Sequence, residues 1–181
     1  MKKLGIVGHG FVGSAINQGF TKEVKKYIVD PNKFGSNSIQ QLIKFKLEEV
    51  VNDSDVVFVS VPTPQLESGE CNSEIVESVL QELNQAKDLL VIVKSTIPGY
   101  KLQTIKEQCI NLRIVYNPEF LTEKNYINDF RNPPMHVFGG AIKDTEEVEQ
   151  LYAEFSSCKK CPVFHTDIVS ASLVKYCINS F

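Results

Sequence analysis

A glycine-rich segment with a regular spacing lies near the N-terminus, at Gly8-His9-Gly10-Phe11-Val12-Gly13. The turn follows an apolar run, 4–7, and leads into an apolar segment that favours a helix. Gly8 allows a tight turn, Gly10 lets the backbone approach a pyrophosphate, and Gly13 lets the helix lie close to the strand. Free N–H groups at the start of the helix, here at Phe11 and Val12, meet the phosphates. The pattern predicts a dinucleotide-binding turn.

An acidic residue lies near the distance that ribose recognition requires. The apolar run 27–29 ends in Asp30, seventeen positions after Gly13. This is close to the spacing of about twenty residues at which a carboxylate binds the ribose 2′-OH. A carboxylate at this point repels a 2′-phosphate. The sequence therefore predicts NAD rather than NADP as the cofactor.

Three further loops carry polar side chains and prolines directly after apolar runs. They contain Pro62-Thr63-Pro64, Lys94-Ser95-Thr96-Ile97-Pro98-Gly99 and Asn117-Pro118-Glu119-Phe120-Leu121-Thr122-Glu123. Ligands of open parallel sheets bind beyond the carboxyl ends of the strands. We therefore expect the three loops to converge on one rim with the glycine turn.

The alternation of apolar runs with helical patterns predicts the strands and helices that carry these loops. The predicted strands are 4–7, 27–29, 56–61, 89–93, 112–116, 136–138 and 163–165, and the predicted helices are 11–19, 39–51, 73–86, 100–109 and 145–156. Such alternation is typical of a parallel sheet with helices on both faces. We predict an α/β, Rossmann-type, doubly wound and mainly parallel sheet, followed by the start of a C-terminal helix. On that helix Lys175 and Asn179 are four residues apart, so both side chains can reach a single group.

The composition and charge of the chain limit the classes of function that it can have. The 181 residues, 43% of them hydrophobic, suffice for one domain with a substantial core. A net charge of −3 offers no basic surface for nucleic acid, and no apolar run reaches the ~20 residues of a membrane span. Without a secretory leader we expect a cytoplasmic protein. The five cysteines are then expected to be reduced thiols, with Cys158 and Cys161 a plain loop pair and no metal site.

The glycine turn, followed in order by the loops VPTP, KSTIPG and NPEFLTE, resembles the N-terminal half of the UDP-glucose/GDP-mannose dehydrogenase family of nucleotide-sugar dehydrogenases. The resemblance covers nearly the whole chain. It implies NAD-dependent oxidation of a sugar C6 alcohol to a carboxylate, with UDP-glucose or a related UDP-hexose as substrate, in the biosynthesis of polysaccharide precursors.

The resemblance also assigns roles to single residues. It implies that Thr63 and Thr96 line the cofactor and reaction site, that Glu123 holds the nicotinamide carboxamide, and that Glu119 serves the substrate pocket and handles a proton. The alternatives are structural: a threonine between prolines is often only a turn residue, and a glutamate at a helix start often serves the helix dipole.

The last segment is implied to be the helix that joins two domains, with Lys175 and Asn179 stabilising the oxyanion of tetrahedral intermediates. An ammonium and an amide donor suit that task, because preorganised donors stabilise charge that develops on oxygen. We therefore expect an NAD-binding domain at 1–166 and the start of the interdomain and dimerisation helix at 167–181, with the family's C-terminal domain absent. Such a helix would expose apolar surface on Ile168, Leu173 and Val174.

Some positions depart from the family pattern. Ser172 replaces a glutamate, His136 replaces a basic residue, and the stretch between Asp30 and Asp55 is short. The family's cysteine nucleophile lies in a glycine-rich motif that this chain does not contain, and Cys177 is two residues from Lys175 and so lies on another helix face. A truncated enzyme, a split enzyme completed by another chain, and a reduced homologue all fit. The expected protein partner is a second copy in a homodimer or a complementing C-terminal half.

A non-catalytic dinucleotide-binding module is therefore the alternative function. A different Rossmann dehydrogenase ranks last, since it would not need the NPEFLTE loop.

Overall fold

A seven-stranded sheet forms the middle layer of the computed structural model, which describes residues 1–30, 47, 48 and 50–179. The strands are β1 (Lys2–Val7), β2 (Val24–Val29), β3 (Val56–Val59), β4 (Leu89–Val93), β5 (Leu112–Tyr116), β6 (His136–Gly139) and β7 (Val163–Thr166). Their order across the sheet is β2-β1-β3-β4-β5-β6-β7. Each predicted apolar run is a strand, and the α/β fold class is confirmed.

The helices cover both faces of the sheet. They are α1 (Phe11–Gly19), α2 (Glu74–Leu83), α3 (Gly99–Gln108), α4 (Tyr126–Arg131), α5 (Ile142–Phe155) and α6 (Ile168–Asn179). The short helix α4 was not predicted, because six residues are too few to show a helical period. The predicted helix 39–51 lies mostly outside the described residues; within it, residues 47, 48, 50 and 51 are helical.

Two apolar cores lie on opposite faces of the sheet because successive strand residues point to opposite sides. On β3, Val56 and Phe58 join the core beneath α1 and α5, whereas Val57 and Val59 join the core beneath α2, α3 and α6. All four side chains are fully buried. A run of apolar residues without alternation is what a strand covered on both faces requires.

The chain changes direction across the sheet between β1 and β3. From β1 it passes first to β2 on one side, and β3 then pairs with β1 on the other side. Ligands of doubly wound sheets bind at such a switch point, outside the carboxyl ends of the strands. The loops that follow β1 and β3 therefore form the expected binding edge.

The sheet is parallel except at one pair of strands. Strand β6 runs antiparallel to β5 and meets it at a single register pair, Tyr116 with Gly139. A parallel crossover needs a return path of a dozen or more residues, usually a helix along the sheet. The segment between β5 and β6 is long enough for such a crossover, but its helix α4 is short, and the Phe130 ring of α4 packs directly on Gly19 of α1.

The C-terminal helix α6 packs more closely than its sequence suggests. Ile168 is buried, and Val174 is partly buried against the core, so the expectation that both are exposed was wrong. Gly99 and Gly139 cause the difference: the backbone of α6 comes so close that a Cβ at either glycine would be in conflict with it. Leu173 is 59% exposed, as expected.

Candidate functional site

The glycine turn after β1 is held in a conformation that requires glycine at two positions. Gly8 has φ +88°, which side chains rarely adopt, and its N–H donates to the carbonyl of Val29 on β2 at 2.8 Å. A Cβ at Gly13 would overlap the carbonyl oxygen of Gly8. The turn and the first turn of α1 therefore lie in direct contact, as the sequence predicts for Gly8 and Gly13.

Gly10 differs from these two glycines. Its φ of −68° is ordinary for any residue, and a Cβ built there meets nothing within 4 Å. Neither strain nor packing within the described protein requires glycine at this position. The space lies at the N-cap of α1, where no described side chain caps the helix. The N–H groups of Phe11 and Val12, in the first turn, have no acceptor within the helix and can bind an external one.

Asp30, the predicted ribose ligand, lies beside the turn at the end of β2. Its carboxylate Oδ2 accepts a hydrogen bond from the backbone N–H of His9 at 3.1 Å, and the residue is buried. The His9 ring lies against Ser14 and Asn17 of α1. The arrangement places the Asp30 carboxylate next to the glycine turn.

An open groove with a volume of about 240 Å³ begins at the glycine turn. It is lined by Gly10, Phe11, Val12, Ser60, Val61, Pro62, Thr63, Lys94, Ser95, Thr96 and Glu119. Three of the predicted loops thus meet at one rim with the turn, because β1, β3, β4 and β5 all end there. Ser95 joins two of them, since its hydroxyl donates to the carbonyl of Val61 at 2.7 Å.

Glu119 is held from two sides at the end of the groove. Its Oε1 lies 3.0 Å from Nζ of Lys175, whose ammonium also donates to the Glu119 carbonyl. Its Oε2 accepts from the backbone N–H of Leu121 at 2.6 Å. The side chains of Lys175 and Glu119 are only 6% and 15% exposed, so the ion pair is largely shielded from water. The predicted catalytic residues Glu119 and Lys175 are therefore in contact.

Two other predicted residues are placed less directly. Glu123 lies exposed in the turn before α4 and does not belong to the described lining of the groove. Asn179 ends α6 one helical turn after Lys175, and its side chain lies outside the described residues. Thr63 and Thr96 are partly buried at the groove.

A buried polar network beneath the groove was missed from the sequence. Nζ of Lys94 donates to Oδ1 of Asn117 at 2.9 Å and to the hydroxyl of Tyr152 at 3.4 Å. The Tyr152 hydroxyl donates to the same Asn117 oxygen at 2.9 Å. Burial lowers the pKa of Lys94 to about 8, although Glu119 opposes the shift. Burial and the charge of Lys94 lower the pKa of His136 to about 4.

The sequence held one signal for this network. Lys94 follows directly after five apolar strand residues, and Asn117 follows a strand whose last three residues are apolar, a position where a polar side chain remains close to the core.

The cysteines take no part in this site. All five are free thiols, and burial raises the pKa of Cys158 and Cys161. In the described ranges no group of three or more His, Cys, Asp and Glu side chains could hold a metal ion. Nor does the described part of the chain contain a helix long and apolar enough to cross a membrane.

Residues 33–156 match the NAD binding domain of the UDP-glucose/GDP-mannose dehydrogenase family. A UDP-glucose 6-dehydrogenase of Rickettsia bellii (strain RML369-C) is 33% identical over 140 residues, which are 74% of this chain and 32% of the relative. UDP-glucose 6-dehydrogenase TuaD of Bacillus subtilis is 26% identical over 215 residues, which cover 100% of this chain and 46% of the relative.

Solved structures show the same architecture. A ternary complex of GDP-mannose dehydrogenase from Pseudomonas aeruginosa aligns with 98% of this chain and 49% of its own, with a TM-score of 0.74 and 26% identity. A UDP-glucose dehydrogenase from Pyrobaculum islandicum aligns with 99% of this chain and 49% of its own, with a TM-score of 0.78 and 24% identity. The chain thus spans between about a third and a half of the length of these relatives.

Proposed function

Because the chain belongs to the UDP-glucose/GDP-mannose dehydrogenase family and carries its NAD-binding domain, we propose that it supplies the cofactor-binding half of a nucleotide-sugar dehydrogenase. The reaction is the oxidation of a sugar C6 alcohol to a carboxylate, with UDP-glucose or a related UDP-hexose as substrate. Its place is in the supply of polysaccharide precursors. The protein acts in the cytoplasm, as a homodimer or with a complementing C-terminal half.

One observation carries the proposal: the empty Cβ position of Gly10. Gly8 and Gly13 are explained by the fold itself, whereas Gly10 has no conformational or packing need for glycine in the described protein. A pyrophosphate lying against the N-terminus of α1 would fill that space and use the free N–H groups of Phe11 and Val12. The residues present therefore fit NAD, with Asp30 beside them for the ribose.

The polar end of the groove suits the handling of a substrate oxygen. Bound NAD supplies the hydride acceptor for the oxidation. An ammonium has three N–H donors, and Glu119 accepts two from Lys175, which leaves one for the substrate oxygen, with Asn179 and Thr96 as further donors. Charge that develops on this oxygen is stabilised by donors already in place. Glu119 takes or returns the proton, and Thr63 and Glu123 hold the cofactor.

The alternative is a non-catalytic dinucleotide-binding module or the subunit of a split enzyme. This alternative is favoured by the lining of the groove, which includes no cysteine among the described residues. Cys71 is close by, with its thiol 3.4 Å from the carbonyl of Thr96, but it does not line the groove. A covalent thioester step needs a nucleophile from another chain or segment.

Calorimetric titration with NAD and with UDP-glucose, combined with absorbance at 340 nm, separates the two functions. The dehydrogenase predicts NAD binding and, when a C-terminal half from a family enzyme is added, formation of NADH from UDP-glucose. NAD binding without NADH formation in that mixture would favour the non-catalytic module. A chain that fails to bind NAD would have neither function.

A further inference from the structure

Lys94 is a buried cation whose hydrogen-bond partners are both neutral. The residue is 6% exposed, and its amino group contacts the amide oxygen of Asn117 and the hydroxyl of Tyr152. Within the described residues it has no carboxylate partner at ion-pair distance, unlike Lys175, which is paired with Glu119. A buried charge without a counter-ion is costly, so a lysine that serves only packing is better replaced by an apolar residue.

The network of Lys94 fixes the start of the loop 117–123. Oδ1 of Asn117 accepts from both Lys94 and Tyr152, and its Nδ2 donates to the carbonyl of Val137 on β6 at 3.0 Å. Asn117 is thereby tied to β4, α5 and β6. Glu119 follows two residues later, and Lys94 and Glu119 line both the groove and a small cavity of about 30 Å³ beside it.

We propose that Lys94 is a positioning residue of the groove, which anchors the loop 117–123 through Asn117 and supplies a positive charge that acts on Glu119 and on the bound cofactor. The cofactor part rests on the proposed function, whereas the anchoring part does not. The charge is present at neutral pH and is lost above pH 8, because burial lowers the pKa of Lys94 to about 8.

The groups that face Lys94 decide whether another residue could produce the same pH dependence. They are Glu119 on the loop, Lys175 on α6, His136 on β6, Tyr152 on α5, Cys158 after α5, and Asp129 of α4 across the small cavity. Glu119 favours the charge of Lys94 and Lys175 disfavours it. Burial raises the pKa values of Tyr152 and Cys158 and lowers that of His136 to about 4, so burial moves the titration of all three away from pH 8.

Two substitutions bracket the charge of Lys94. Lys94→Arg keeps a positive charge at every accessible pH, and Lys94→Met keeps a similar length without a charge. NADH affinity is measured by cofactor fluorescence from about pH 6.5 to about pH 9.5; the chain contains no tryptophan to interfere. We expect wild-type affinity to fall by about threefold or more through pH 8, the effect of one charge across a partly buried site, and both variants to lack this inflection.

A second readout does not depend on the cofactor. The ¹³Cε resonance of Lys94, identified by its loss in Lys94→Arg, should titrate near pH 8, and the side-chain amide of Asn117 should shift with the same midpoint. Any of three results would overturn the proposal: a Lys94 titration midpoint near pH 10.5, an Asn117 resonance that does not shift with the Lys94 titration, or an NADH-affinity inflection that is retained in Lys94→Met. Absence of NADH binding in all three proteins would overturn the proposed function and the action of the Lys94 charge on the cofactor. The Lys94 and Asn117 resonances would still decide whether Lys94 anchors the loop 117–123.

Discussion

Removing either partner of the Glu119–Lys175 ion pair tests whether the polar end of the groove is a preorganised unit. In Lys175→Met the Glu119 carboxylate keeps, among its partners in the described residues, the N–H of Leu121 at 2.6 Å. In Glu119→Gln the ammonium of Lys175 loses its counter-ion. It can still donate to the new side-chain amide oxygen and to the backbone carbonyl of residue 119. The two changes therefore differ in what they leave unpaired.

The burial of the pair sets the size of the effect. With side-chain exposures of 6% and 15%, the pair is shielded enough that loss of one partner leaves an uncompensated charge, which costs about 3–5 kcal/mol. We expect about 3 kcal/mol for Lys175→Met, the low end, since Glu119 retains some contact with water. For Glu119→Gln we expect about 2 kcal/mol, because a hydrogen bond survives. The double variant should cost about 1.5 kcal/mol less than the sum.

Urea unfolding followed by far-UV circular dichroism measures these differences at pH 7.5. The control is Lys143→Met on α5, where the lysine is exposed and the change should stay within about 0.5 kcal/mol. In thermal unfolding Lys175→Met should lower Tm by roughly 6–12 °C. Additive costs, with Lys175→Met below about 1 kcal/mol, would show that the pair behaves as a surface contact and would refute a preorganised site.

Three further predictions follow from single positions. Gly13→Ala should destabilise the fold by about 1–3 kcal/mol and abolish NAD binding, because its Cβ overlaps the Gly8 carbonyl; calorimetry that shows unchanged binding would contradict this. Glu123→Gln should weaken NAD binding if this exposed residue holds the nicotinamide, and unchanged affinity would remove it from the site. The free energy of unfolding of wild type minus that of Lys94→Met should rise by up to about 3 kcal/mol between pH 8 and 10.5, because the folded state releases the Lys94 proton first. A difference that does not change between urea titrations at pH 7 and pH 10 would contradict a depressed pKa.

The sheet was predictable from the sequence because its strands are buried on both faces. The run Leu89–Val93 is apolar throughout and Leu112–Tyr116 is apolar except at Arg113, and side chains on both faces of such strands need cover. The reversal at β6 was not predictable, since the short apolar run 136–138 has no mark of direction. The connection to β6 contains α4, which docks on α1 through a tertiary contact between Phe130 and Gly19, and no local pattern reveals this contact.

The site was predictable where backbone geometry dictates the residue type. Gly8 and Gly13 are needed for positive φ and for close approach, and such needs leave a fixed spacing in the sequence. Lys94, Asn117 and Tyr152 come from three distant segments, so no local spacing reveals their hydrogen bonds. The burial of Ile168 depends on the close approach of α6 to Gly99 and Gly139, which a helical pattern by itself does not contain.

The most direct measurement is the affinity of the chain for NAD, by calorimetry, in wild type and in Gly10→Ala. The added methyl group meets no atom of the described residues within 4 Å, so stability should change by no more than about 1 kcal/mol, the range of an N-cap substitution. If the space belongs to the pyrophosphate, affinity should fall about tenfold or more, which is at least about 1.4 kcal/mol of binding free energy. Equal NAD affinity in the two proteins, with both folded, would contradict the claim that this turn binds the cofactor.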